Sequence, residues 1–166
     1  MQAQAWPGGR DSLTHDPALR PMSMLLVDTD VVVAALDVLA KEIVHAGRAY
    51  SAAGLSTVVT RQDVRGRGYG RLLVAAGHDA IAERGFDLGI FTCDRPLRDF
   101  YESAGWRWLP GTVLVGGTPS SPFPSDQTGF DKVTMADFFS EPAKRDRSAF
   151  LGTRVALYPG EIDKLW

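Results

Sequence analysis

Little in this sequence supports chemistry that depends on thiols, metals or a field of one charge. Cys93 is the one cysteine in 166 residues, which excludes an internal disulfide and a cysteine-based zinc site. The histidines, His15, His45 and His78, are scattered without ligand spacing, so no metal is expected. A net charge of −2 gives no bulk basic field to recruit nucleic acid or an anionic membrane. The apolar runs, such as Val31 to Leu36, are too short to span a bilayer. Met1 to Arg20 lacks the basic-then-apolar pattern of a secretory signal. What remains, 45% hydrophobic and 23% charged, is ordinary for one soluble globular domain. A cytoplasmic enzyme is the expectation, with an irregular segment over 1–21 and one folded domain over 22–166. No repeat or low-complexity tract interrupts it.

What the chain does have is a glycine-rich basic turn between a strand and a helix. Val58-Val59-Thr60 is β-branched, Arg65-Gly66-Arg67-Gly68-Tyr69-Gly70 follows, and a helix opens at Arg71-Leu72-Leu73. Glycine permits positive φ and close backbone approach. The free amides and dipole at the helix start then favour an anion in the loop. The turn lacks the Gly-Lys-Ser/Thr ending of a P-loop, and its G-x-G-x-G spacing is not the Rossmann G-x-G-x-x-G.

Taken in order, Met22 to Val27 reads as a strand, Asp28-Thr29-Asp30 as a turn, and Val31 onward as a second strand. Asp37 to His45 mixes helix and strand formers and is taken as continuing that second strand. A turn at Ala46-Gly47-Arg48 leads into a third, about Ala49 to Thr60, with a bulge expected at Gly54. Before Met22 at most a short helix is expected, around Ser12 to His15. Gly70 to Arg84 predicts a helix with Leu72, Leu73, Ala76, Ala80 and Ile81 on its apolar face and Gly85 as its stop. Phe86 to Cys93 reads as a strand, and Asp94 is placed to cap a helix carrying Leu97, Phe100, Tyr101 and Ala104. Strand, helix and strand in that order imply two adjacent parallel strands with a right-handed connection. Thr112 to Val115 and Lys132 to Ala136 are read as partner strands flanking a loop from Gly116 to Asp131. Pro142 to Ser148 is read as a charged turn, and Arg154 to Tyr158 as a short extended piece.

Arg65-x-x-Gly68-x-Gly70 between strand and helix resembles the acyl-CoA pyrophosphate loop of the GNAT N-acetyltransferase superfamily. Arg98 to Trp106, with Phe100-Tyr101 and Gly105-Trp106, resembles that superfamily's second signature at a fitting distance. The resemblance implies an α/β (α+β) fold with a central mixed, mostly antiparallel sheet and a parallel β-α-β unit carrying the loop. Members usually begin with a strand and helices ahead of the first hairpin. Here about twenty residues precede Met22, so either those elements are missing or a second subunit, as in a homodimer, covers the edge. A narrower likeness, over roughly residues 20–166, is to the aminoglycoside 2′-N-acetyltransferases. Ser56 stands where that family has a glutamate, and the tail spacing from Asp163 to Trp166 differs.

The resemblance implies acetyl transfer from acetyl-CoA directly to a primary amine, without metal. Arg65, Gly66, Arg67, Gly68, Tyr69 and Gly70 would hold the pyrophosphate, and the edge at Val58, Val59 and Thr60 the pantetheine amides. Tyr101 is the candidate acid toward the departing sulfur, its alternative being a core tyrosine. No base stands out. Ser56 can hold a water, Asp37, Glu42 and His45 lie on a segment of open register, and Asp94 is base or cap; His15 and His78 carry no reading. Asp126, Asp131, Glu161, Asp163 and Trp166 would present an acidic, stacking rim to a small cationic acceptor, and Cys93 is a packing residue. The alternatives are a non-catalytic acyl-CoA-binding module and an acetyltransferase of protein N-termini or lysines.

Overall fold

The computed structural model describes residues 15–158. A single 3₁₀ turn, Pro17–Leu19, leads into β1 (Met22–Asp28), β2 (Val31–His45) and β3 (Arg48–Thr60). Helix α1 spans Tyr69–Glu83, and β4 spans Leu88–Asp94. Then come the short helix α2 (Arg98–Glu102) and strands β5 (Arg107–Trp108), β6 (Val113–Thr118), β7 (Ser121–Pro124) and β8 (Lys132–Phe138). A short helix α3 (Glu141–Arg145) and strand β9 (Arg154–Ala156) complete the described chain. The main sheet has the order β1-β2-β3-β4-β8-β5, and a smaller sheet the order β7-β6-β9. Among the described residues no helix is long and apolar enough to cross a membrane.

The hairpins follow from their turns. Thr29 and Asp30 both have positive φ (46° and 65°), as do Ala46 and Gly47 (49° and 77°). Two such central residues suit the right-handed twist of the flanking strands. The ambiguous 37–45 segment is strand because it pairs with β3 all the way from Asp37–Ser56 to His45–Arg48, and its run from Asp37 to Ala40 is buried. Strands β3 and β4 are parallel, joined by α1, as a strand–helix–strand unit requires.

Several expectations are corrected. Gly54 sits in regular register opposite Leu39; the bulge lies further on, where Leu36 alone faces the stretch between Ser56 and Val59. Leu72 is exposed, and the buried face of α1 is Leu73, Val74, Gly77 and Ile81. That face is turned one position from the expected stripe because Gly77 lets the helix approach Leu36 and Leu55 closely. Strand β8 pairs with β4 and β5, not with β6, whose partners are β7 and β9. Residues 116–131 contain a hairpin strand, β7, and are not loop throughout. The charged turn after Pro142 is the helix α3, capped by the Ser140 side chain. Asp94 makes no side-chain cap and instead accepts from Lys132 Nζ at 2.7 Å. The short helix expected around Ser12 to His15 falls largely outside the described residues; the turn seen is at Pro17–Leu19.

Burying Leu73, Val74 and Ile81 stabilises the helix–sheet contact by about 1.5–3 kcal/mol per side chain. A polar clasp adds to it. His78 Nε2 lies 2.9 Å from Asp137 Oδ2 on β8, and its ring meets Trp106 and Phe139 edge-on at 5.1 and 5.2 Å. The Asp137 bond, opposed by burial, raises the His78 pKa. Burial works against charge on Asp137, yet the bonds from His78 and the Phe138 N–H hold its carboxyl below the usual value. The raised imidazole stabilises fully below its ordinary value of about 6.5 and loses that contribution as pH rises through its folded value. The depressed carboxyl contributes above about pH 4 and fades as pH falls. His78→Gln should therefore destabilise the protein by about 1 kcal/mol more at pH 5.5 than at pH 8.5. Denaturant titrations at both pH values check this, and an equal loss at both would show that only ring packing matters.

Candidate functional site

The site begins where the sheet stops being regular. Strands β3 and β4 pair only at Ala52–Leu88 and Ala53–Gly89, after which β3 runs on to Thr60 without a β4 partner. On its other side, Thr57 and Val58 have no register partner on β2. Thr57 takes the left-handed conformation, φ 49°, which a β-branched residue adopts at a cost. Its hydroxyl donates to Asp37 Oδ2, which holds it there. The outcome is a strand edge whose backbone groups face a gap between diverging parallel strands.

Past Thr60 the chain makes a 3₁₀ turn over Gln62–Val64 and then the glycine loop. Gly66 and Gly68 have φ of 79° and 83°, and Gly68 is the N-cap of α1 with no side-chain cap bond. The first amides of α1 are therefore left to an external acceptor. Gly70 is a glycine for another reason. A Cβ there would come within 2.7 Å of Thr60 Oγ1 and 3.4 Å of Phe100 Cζ, so the helix start could not sit this close to β3. Tyr69 donates its hydroxyl to Asp28 at the end of β1, pinning the loop to the first hairpin. Arg65 Nε donates to the Thr60 carbonyl at 3.2 Å, closing the base of the turn.

Edge, loop and α2 enclose a cleft of about 400 Å³. Val58, Thr60, Arg65, Gly66, Gly68, Tyr69 and Gly70 line it together with Tyr101. Val59 instead turns into the core, and Arg67 lies outside the lining. Val64, Arg71, Leu97 and Phe100 also line the cleft and were missed in the sequence. Leu97 and Phe100 look like ordinary members of the α2 apolar stripe, and Arg71 like a solvated residue of the first turn of α1.

Tyr101 is 6% exposed and packs edge-on against Phe91 and Phe100 at 5.1 and 5.0 Å. Its hydroxyl makes no hydrogen bond among the described residues and opens to the cleft, unlike the fully enclosed Trp106 Nε1. Burial, reinforced by Cys93 and Asp94, pushes its pKa upward, so the phenol stays protonated. Burial also pushes the nearby Cys93 thiol up to about 12, which keeps it a neutral packing group.

The other candidates lie apart from the cleft lining. Ser56 is opposite Asp37 on β3. Asp126 is held by both terminal nitrogens of Arg154 at 3.1 and 3.3 Å, and Asp131 by Arg95 at 2.7 Å. Asp163, Trp166 and Glu161 lie outside the described residues. Of the segment with open register, Asp37 is buried, Glu42 is exposed, and His45 Nε2 lies 2.8 Å from the Ala149 carbonyl. Among the described residues no group of three or more His, Cys, Asp and Glu could hold a metal.

The family model described as "Acetyltransferase (GNAT) domain" matches residues 5–109. No curated protein matches the chain. Among solved structures, Escherichia coli ElaA is 17% identical with a TM-score of 0.50, covering 70% of this chain and 67% of that one. An aminoglycoside 6′-acetyltransferase type Ii is 20% identical with a TM-score of 0.49, covering 72% and 70%. A GCN5-related N-acetyltransferase from Kribbella flavida is 25% identical with a TM-score of 0.49, over 55% of this chain. The match spans only 23% of the Kribbella protein, and 22% of a probable N-acyltransferase from Enterococcus faecalis. With the loop, the splayed strands and the mixed sheet in place, and with the family model matching well over half its length, the chain belongs to the GNAT acetyltransferases.

Proposed function

We propose that this protein moves the acetyl group of acetyl-CoA directly to a primary amine, the acceptor being a small cationic molecule. The observation that carries the reading is the convergence, in one cleft, of an unpaired strand edge, an uncapped helix start and a protonated tyrosine. Each matches one part of a bound acyl-CoA.

The pyrophosphate would sit on the amides of Gly66 to Gly70, where the α1 dipole favours negative charge. Arg71 on the cleft wall, with Arg65 and Arg67 of the loop, would add charge-assisted bonds. The pantetheine arm would lie along Val58 to Thr60 and pair with the β3 edge as a strand does. Its thioester would then reach the bulge, where a Val58 N–H without a β2 partner polarises the carbonyl. Tyr101 would donate toward the sulfur as the C–S bond breaks. Direct transfer to an amine is supported by the state of Cys93, which is neutral and buried and so offers no thiolate for a covalent intermediate. The buried Asp37 carboxylate on the opposite face of the sheet supports a cationic acceptor. Ser56 beside it, Asp126, and Asp163 and Trp166 from outside the described residues are proposed as acceptor contacts.

Thiol release from acetyl-CoA across a panel of amines, polyamines and aminoglycosides included, tests the reading, with one accepted amine as the expected result. Binding of acetyl-CoA without turnover on any amine would favour the non-catalytic module. Gly68→Val should raise the acetyl-CoA dissociation constant by at least about tenfold. Nothing lies within 4 Å of a Cβ at this position, so the harm falls on the positive φ and on the ligand rather than on packing. Calorimetry on folded variant checks it, and unchanged affinity would remove the loop from the site. Tyr101→Phe should lower kcat by roughly 10²-fold with acetyl-CoA affinity kept, whereas unchanged turnover would return Tyr101 to the core.

A further inference from the structure

The glycine loop is held largely by bonds to itself. Among the described residues, the hydrogen bonds of 62–68 stay within the stretch 60–72. Val64 N–H donates to the Arg61 carbonyl, Arg65 N–H to that of Gln62, Arg65 Nε to that of Thr60, and Leu72 N–H to that of Gly68. A Cβ at Gly66 or Gly68 would meet nothing within 4 Å, so packing at these two positions does not fix the loop. The tie to a distant element comes at its end. Tyr69, the first residue of α1, donates its hydroxyl to Asp28 Oδ2, 41 residues earlier in the chain.

Asp28 is itself fixed in place. It ends β1 opposite Val31, in a hairpin closed by Thr29 and Asp30, and Met22, Met24 and Leu26 of the same strand pack against the core. Its Oδ1 accepts from the Thr29 hydroxyl at 3.2 Å, while Oδ2 takes the Tyr69 hydroxyl. The bonds from Tyr69 and then Thr29 hold its carboxyl below the usual value, and the Arg67 guanidinium adds to them. The same bond to Asp28 raises the Tyr69 phenol, which therefore stays a donor. Tyr69 lines the cleft and Asp28 does not. A carboxylate close to the loop opposes an anion by its charge, whereas as a tether it favours one, so the two effects have opposite sign. Asp28 is exposed, and water and salt screen its charge. The tether should therefore win.

We propose that Asp28 is a positioning residue for acetyl-CoA. Through the Tyr69 hydroxyl it sets the start of α1 and the glycine loop in the pose that receives the pyrophosphate, without touching the cofactor. The inference rests on the acetyl-CoA reading of the cleft. With the tie in place, the loop amides are ordered before the ligand arrives. Without it, the ligand has to order them, which shows as weaker binding of the pyrophosphate and not as slower chemistry.

The test is calorimetry with acetyl-CoA on the full chain, together with kinetics on an amine that the wild type accepts. Asp28→Ala should raise the acetyl-CoA dissociation constant by about five- to tenfold, with kcat at saturation changed less than about twofold. Asp28→Asn keeps an acceptor oxygen and loses the charge, so it should bind within about twofold of wild type. Tyr69→Phe should match Asp28→Ala, and the double variant should bind no more weakly than either single one, because both remove the same bond. With S-acetylpantetheine, which lacks the pyrophosphate, kcat/KM should be the same for wild type and Asp28→Ala. Equal losses with both donors, or a lower melting temperature with unchanged acetyl-CoA affinity, would mark a purely structural tie and overturn the proposal. Tighter binding by both Asp28 variants would overturn it as well, since charge would then outweigh the tether. If Asp28→Ala fails to fold, Tyr69→Phe carries the same comparison. A wild type that binds acetyl-CoA but acetylates no amine removes the transferase reading, and the calorimetry still decides the role of Asp28. A wild type that does not bind acetyl-CoA removes both.

Discussion

The hydrogen bond from Thr57 to Asp37 is the constraint on which the rest of the site depends. A threonine with φ of 49° costs roughly 1–2 kcal/mol relative to extended backbone. A hydrogen bond to a charged acceptor is worth roughly 1.5–3 kcal/mol, enough to hold that conformation. Without it, β3 would gain by continuing its ladder with β2, and Thr57 and Val58 would find partners. The bulge would then close. A carboxylate buried at the centre of a sheet is expensive unless every lone pair is met. Asp37 meets that condition with hydroxyls from the strand on each side and an imidazole from the preceding segment.

The bulge also ties the two faces of the sheet together. On one face α1 is brought close to β2 and β3 by Gly77, and close to the end of β3 by Gly70. That proximity turns the amides at the start of α1 toward the same cleft as Val58 and Thr60. On the other face stand Ser23, Asp37, Ser56 and His15. Beyond Ala53 and Gly89 the two parallel strands separate, and the gap joins the faces. On the proposed reading, the cofactor enters from the α1 face and the acceptor from the other, so that the two reactants meet where β3 leaves its ladders with β2 and β4.

How much of this was legible in the sequence depends on how local each feature is. The glycine loop, α1 and the Phe100-Tyr101 helix are written in contiguous residues, and spacing alone places them. The hairpin turns at Thr29–Asp30 and Ala46–Gly47 are equally local. The bulge was misplaced to Gly54 because glycine is the usual mark of irregular backbone. Here a long-range bond to Asp37 stabilises the strained Thr57, and no local pattern announces it. The partner of β8 was misread for a similar reason. Sequence neighbours usually pair, but β6 is drawn into a separate sheet with β9, from beyond α3. His15 carried no signal at all, since its partner is 22 residues away on another strand.

The upward shift of Tyr101 bears on the order of events in the proposed transfer. A phenol whose burial disfavours the phenolate is a weaker acid than a free one, and moving its proton fully to a thiolate is uphill. Such a group contributes little to a resting thioester. It contributes most when negative charge has developed on sulfur, as a hydrogen-bond donor fixed in place by Phe91 and Phe100. Collapse of the tetrahedral intermediate is then the step that Tyr101 assists, and formation of that intermediate has to be driven from the amine side. An amine still carrying its extra proton cannot drive it. A tyrosine that acts this late leaves the early proton of the amine to a group other than itself.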